Sequence, residues 1–150
     1  MTNTATDTAA ELCLGFEEPI DAVILGARSG IGEAFLNELS TFRQVRCVYG
    51  TSRAGHWQTL EGGHAKIRRR RLDIVDEASI QRFIEHLNAE QVKPNLVINC
   101  TGILHDESLQ PERSWRDLGL EEMQKTFAVN TFGVGLLIKH ILPAMRAGER

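Results

Sequence analysis

The residues best suited to chemistry in this chain of 150 residues fall in a few short stretches. The first is Gly26-Ala27-Arg28-Ser29-Gly30-Ile31-Gly32. Glycine accepts positive φ and carries no Cβ, so an anionic group can lie directly against backbone N–H groups. A helix starting inside such a loop points its unbonded N–H groups and positive dipole end at the same anion. Gly-x-x-x-Gly-x-Gly, which differs from the commoner G-x-G-x-x-G, thus describes a phosphate cradle. Further along stand Asp73 and Ile74, then Asn99 and Gly102, then Asn130. A carboxylate accepts hydrogen bonds from an amine, and a side-chain amide both donates and accepts. Arg28 and Arg53 add two guanidinium groups, each able to grip an anion through two parallel hydrogen bonds.

Short apolar runs and helical spacings must position these groups. Ala22 to Leu25 is an apolar, partly β-branched run closed by Gly26, the signature of a buried strand. From about Gly30 to Leu39 a helix is expected, its apolar residues being Ile31, Ala34, Phe35, Leu39 and Phe42. A second strand over Val45–Thr51 leads into a loop from Ser52 through Gly63, and a third runs from Ala65 to Leu72, ending at Asp73. Asp76-Glu77-Ala78-Ser79 reads as a helix start, with Ile80, Phe83, Ile84 and Leu87 on the inner face. Pro94 precedes a fourth strand, Leu96–Cys100. After an irregular stretch, one long helix is expected from about Leu120 to Met145, burying Met123, Phe127, Asn130, Val134, Leu137, Ile138 and Ile141. Strands alternating with helices imply an α/β, Rossmann-type, doubly wound parallel sheet of strands 1–4, about half to two-thirds of such a fold. Residues 1–19 read as a flexible arm and 20–150 as one domain.

Composition narrows the function. A net charge of −3 and a pI near 6.0 give no case for a nucleic-acid partner. The run Arg68–Arg71 fits a solvated sheet edge better than a nucleic-acid patch, since no aromatics interleave it. No apolar run reaches the roughly 18 residues needed to span a bilayer. Cys13, Cys47 and Cys100 are scattered, with no C-x-x-C or Cys/His cluster, so neither a disulfide framework nor a metal site is expected. Cys47 and Cys100, inside strands, read as small buried hydrophobes in a reducing cytoplasm.

The glycine spacing after a strand resembles the short-chain dehydrogenase/reductase family, and four later features agree with it. Leu72-Asp73-Ile74 stands where the family sets an aspartate against the adenine amine, although Asp73 alone also suits a turn cap. Ile98-Asn99-Cys100-Thr101-Gly102 resembles the family's Asn-Asn-Ala-Gly, with Asn99 and Gly102 matching and the two residues between them differing. Val129-Asn130-Thr131-Phe132-Gly133 fits the family's Val-Asn-x-x-Gly. The resemblance assigns Asn130 to the Asn-Ser-Tyr-Lys catalytic set, where it helps hold a proton-relay water; a structural core asparagine is the alternative. The last feature concerns the nicotinamide cofactor. NAD binding usually needs an acidic residue after strand 2 to hold the ribose 2′-OH. Between Thr41 and Leu60 there is none, whereas Arg28 and Arg53 suit a 2′-phosphate. NADP is therefore expected over NAD, with solvated loop arginines as the alternative. The expected cofactor contacts are Gly26, Arg28, Ser29, Gly30, Ile31, Gly32, Arg53, Asp73, Ile74, Asn99 and Gly102.

The resemblance spans about residues 20 to 146 and departs from the family in places. Leu25 stands where threonine is common. The family's Ser and Tyr-x-x-x-Lys are not present, because the single tyrosine, Tyr49, lies in strand 2 with Arg53 four residues on. The chain thus reads as the cofactor-binding, N-terminal part of a longer enzyme or as a truncated gene product, inactive by itself. Thr101-Gly102-Ile103-Leu104-His105 is similar to the signalling-associated, C-factor-like subgroup, with His105 expected to face water and lining the substrate side of the cleft as the alternative. An NADP-dependent reductase of a small carbonyl or alcohol leads. A non-enzymatic NADP-binding module, or an interaction domain that binds no nucleotide, are the competing readings. The last helix is a possible homo-oligomer contact.

Overall fold

The computed structural model describes residues 19–55, 65–105 and 111–145. The arm, most of the loop after strand 2, and Cys13 lie outside the described residues. Four strands form one parallel sheet: β1 (Ile20–Leu25), β2 (Val45–Ser52), β3 (Ile67–Arg71) and β4 (Leu96–Asn99). Their order across the sheet is β3-β2-β1-β4. The chain thus steps from β1 through β2 to β3, then returns to the other side of β1, which makes the gap between β1 and β4 a topological switch point.

Both faces of the sheet are covered, as expected for parallel strands. On one face, α1 (Gly30–Thr41) buries Leu36 and Leu39 against Ile20, Ala22, Ile24, Val45 and Val48. On the other, α2 (Glu77–Ala89) and α4 (Gly133–Ile141) bury Ile80, Phe83, Leu87, Leu137 and Ile141 against Val23, Leu25, Cys47 and Tyr49. Alternate residues of each strand serve opposite layers. Strand β1 is buried at every position, which is why Ala22 to Leu25 reads as an apolar run, with Asp21 as the one charged residue in the strand.

Three polar ties lock neighbouring elements within the layers. Asp21 is fully buried on β1, and its carboxylate accepts from Arg46 Nε at 2.7 Å and from the other arm of the same guanidinium. A buried charge of this kind persists only when paired. Asn95 accepts from Asp21 N at 2.8 Å and donates to Pro19 O at 3.1 Å, pinning the entry to β4 beside β1. Glu77 at the start of α2 accepts from Lys139 Nζ at 2.7 Å and lies 2.7 Å from His140 Nε2, tying α2 to α4.

Several expectations need correction. Helix α1 buries Gly32, Leu36, Leu39 and Ser40, while Ile31 and Phe35 are exposed. The rotation follows from Gly32, where a Cβ would lie 2.3 Å from Gly26 O, so the glycine must face the loop and residues 31, 34 and 35 turn away. The long last helix is three pieces: α3 (Leu120–Phe127), a π-turn (Ala128–Phe132) and α4. The wider π-turn shifts the phase of the helical stripe. Leu137 and Ile141 are buried as expected, but Phe127, Asn130 and Ile138 are exposed. Strand β3 begins two residues late, at Ile67, and β4 ends at Asn99, leaving Cys100 half-buried beyond it rather than in the core.

Candidate functional site

The carboxyl ends of all four strands converge on one cleft of about 410 Å³. Gly26, Arg28 and Ser29 line it from the β1–α1 turn, and Ser52, Arg53 and Ala54 from the end of β2. Leu72, Asp73 and Ile74 contribute from the end of β3, and Cys100, Thr101, Gly102, Ile103 and His105 from the segment after β4. Val129 of the π-turn closes the wall. Open α/β sheets place ligands at this end, beside the switch point.

The β1–α1 turn is shaped for a group that approaches backbone. Gly26 sits at φ +72°, and a Cβ there would lie 2.8 Å from Cys100 O, so the β1 and β4 loops pass in direct backbone contact. Gly30 has φ +60° and open space where a Cβ would stand. Ser29 is the N-cap of α1, yet its side chain caps no N–H, so the first turn keeps unbonded donors facing outward. An anion at this helix start meets N–H groups and the dipole together.

Arg28 and Arg53 line the same cleft, and neither makes an ion pair among the described residues. Like charges left uncompensated in one cleft favour an anionic occupant. Asp73 also lines the cleft while forming a turn: its Oδ1 accepts from Val75 N at 3.1 Å, and its own N–H donates to Ser79 Oγ at 3.0 Å.

Other expected site residues stand behind the wall. Asn99 does not line the cleft, because its Oδ1 accepts from Thr101 N at 3.1 Å and Thr101 Oγ1 at 2.6 Å, shaping the turn after β4. Gly30, Ile31 and Gly32 lie along the start of α1 outside the cleft lining. Asn130, expected to be buried, is exposed on the π-turn, and its amide is satisfied at both ends by one residue. Nδ2 donates to Ile103 O at 2.8 Å and Oδ1 accepts from Ile103 N at 2.8 Å. This pair mimics a strand rung and fixes the segment that carries Gly102 and His105. His105, expected to face water, is exposed and lines the cleft as well. Among the described residues no group of His, Cys, Asp or Glu is placed to hold a metal. The sequence reading missed Ser52, Ala54, Leu72, Cys100, Thr101, Ile103 and Val129; all but Val129 lie at or just after the ends of expected strands, a signal that was available.

Comparison with known proteins decides the family. The short chain dehydrogenase family model matches residues 21–150. The chain belongs to the short-chain dehydrogenase family. It is 29% identical over 133 residues to the 3-ketodihydrosphingosine reductase of Bacteroides thetaiotaomicron, covering 89% of this chain and 45% of that one. The NADPH-bound carbonyl reductase from chicken fatty liver superposes with a TM-score of 0.72 at 24% identity, over 85% of this chain and 49% of the other. A short-chain dehydrogenase from Leptospira borgpetersenii with bound NAD+ gives a TM-score of 0.66 at 20% identity, over 84% and 46%. The chain therefore spans about half the length of these relatives. Among the described residues no helix is long and apolar enough to cross a membrane.

Proposed function

We propose that these residues form the NADP-binding part of a reductase that moves hydride between the nicotinamide and a carbonyl or alcohol. The observation that carries the reading is the pair Arg28 and Arg53, both lining the cleft without an ion pair among the described residues, with no acidic residue in the stretch from Thr41 to Leu60 around Arg53. The 2′-phosphate of NADP is a dianion that an arginine holds bidentately, whereas NAD offers a hydroxyl that an arginine cannot accept from. Gly26 and the start of α1 fit the pyrophosphate, and Asp73 the adenine edge. When bound, the cofactor supplies or accepts the hydride.

The chain's own residues bind and orient in this reading. Asn130 holds the Ile103 backbone and so sets the wall on the nicotinamide side. Proton transfer needs a further acid/base, because the single tyrosine is fully buried on β2, donates to Glu90, and lies outside the cleft lining. In this reading the 150 residues alone turn over no substrate. We place the protein in the cytoplasm, near the C-factor-like subgroup through Thr101-Gly102-Ile103-Leu104-His105. We assign the exposed side of α3 and α4, with Phe127, Ile138 and Leu142, to contact with another copy.

Arg53→Asp tests the cofactor reading. NADPH affinity should fall by about tenfold or more while NADH affinity holds or improves, since a charge-assisted hydrogen bond of about 1.5–3 kcal/mol is replaced by repulsion. Unchanged NADPH affinity would reject it.

A further inference from the structure

We propose that Arg71, outside the glycine loop, is a positioning residue that holds Arg53 in place and thereby sets discrimination for the 2′-phosphate. The inference rests on the NADP reading above. Arg71 ends β3 and pairs in register with Ser52, the last residue of β2. Its Nε donates to Arg53 O at 3.2 Å. The chain then folds over the Arg71 stem: Gly55, at φ +65°, comes so near that a Cβ there would lie 3.3 Å from Arg71 Cβ.

Two other bonds hold this short segment. Ser52 O accepts from Leu72 N at 3.0 Å, and Ser52 Oγ accepts from Gly55 N at 3.3 Å. Both act on Ser52, one residue before Arg53 and three before Gly55. The Arg71 bond is the tie that acts on Arg53 itself. It comes from a rigid planar donor whose Nε direction is fixed once the guanidinium is placed.

Charge makes a passive role for Arg71 unsatisfactory. Arg28, Arg53 and Arg71 make no ion pair among the described residues, although Arg68 and Arg70 of the same strand reach Glu90. An exposed arginine beside another without a carboxylate costs repulsion that a bound dianion removes. Arg71 therefore acts on the phosphate through the position it gives Arg53.

A double-mutant cycle on the protein as its gene encodes it tests the role. NADPH and NADH are titrated into the parent, Arg71→Met, Arg53→Met and the double variant. Losing one charge-assisted tie should weaken NADPH by about tenfold and leave NADH within about twofold. Acting through Arg53, Arg71→Met should add little to Arg53→Met, the sign of coupled residues. Additive losses would overturn the positioning role, as would equal losses of NADPH and NADH in Arg71→Met. A parent that binds both cofactors equally would instead reject the NADP reading itself, and this inference with it.

Discussion

Tyr49 is a buried polar side chain held from several sides. Its hydroxyl donates to Glu90 and accepts from Arg68 Nη1 at 2.8 Å, while Phe83 and His86 meet its ring edge to face. Burial first, and then the Glu90 carboxylate, push its pKa from 10.0 up to about 12. Between those values the unfolded chain has released a proton that the folded protein retains. Its contribution to stability is thus complete below pH 10.0 and is lost as pH rises toward about 12. Cys47, pushed by burial from 9.0 to about 11, adds loss of the same sign. Chemical denaturation across this range should show a falling midpoint that Tyr49→Phe makes shallower. A slope untouched by Tyr49→Phe would show that the phenol titrates normally. As this is the only tyrosine, tyrosinate absorbance reads the same titration directly.

Helix ends carry the next set of consequences. Gly32 faces Gly26 so closely that Gly32→Ala must push α1 off the sheet, costing about 1–3 kcal/mol by overpacking. NADPH binding should fall with it; an alanine variant of parental stability and affinity would contradict the packing described. At the far end of α2, Gln91 adopts φ 56° while Val92 N donates to Leu87 O at 2.8 Å, a left-handed helix stop that glycine suits better. Gln91→Gly should stabilise by roughly 1 kcal/mol in a thermal melt, and destabilisation would show that the side chain matters more than the backbone. These elements also show what the sequence made legible. Apolar runs and glycine punctuation located β1, β2 and β4, since a parallel strand covered on both faces leaves an apolar signature, while β3 was placed from its position before Asp73 despite its arginines. The rotation of α1 was misjudged because Ile31 and Phe35 have helical spacing; only the Gly26–Gly32 approach, a through-space fact, decides which side turns inward. The π-turn was missed for a related reason. Nothing in Ala128-Val129-Asn130-Thr131-Phe132 breaks helical spacing, yet the inserted residue exposes Asn130 and lets its amide reach Ile103.

At the scale of the whole molecule, parallel strands deliver their carboxyl ends to one rim, and the β3-β2-β1-β4 order opens that rim beside β1. Residues from five separate stretches meet there, from Gly26 to Val129. The glycine loop, Arg28, Arg53, Asp73, Ile74 and Gly102 were identifiable one by one from type and position at strand ends. Asn99 and Asn130 were identifiable as polar residues of note, but their partners, Thr101 and Ile103, depend on how the loops fold back. The arginine run at Arg68–Arg71 does lie on an edge strand, and its alternation sends Arg68 and Arg70 toward α2 while Arg71 reaches the backbone of Arg53. The buried position of Tyr49 carries a further expectation: the purified 150-residue chain should reduce no carbonyl substrate with NADPH. Measurable turnover would mean that another group supplies the proton.

The cofactor assignment stands nearest the centre of this account, and calorimetric titration of the unaltered protein with NADPH and with NADH tests it most directly. With Arg28 and Arg53 free to meet a 2′-phosphate, NADPH should bind about tenfold or more tightly, an advantage that shrinks as salt is raised. Equal affinity, or a preference for NADH, would contradict it.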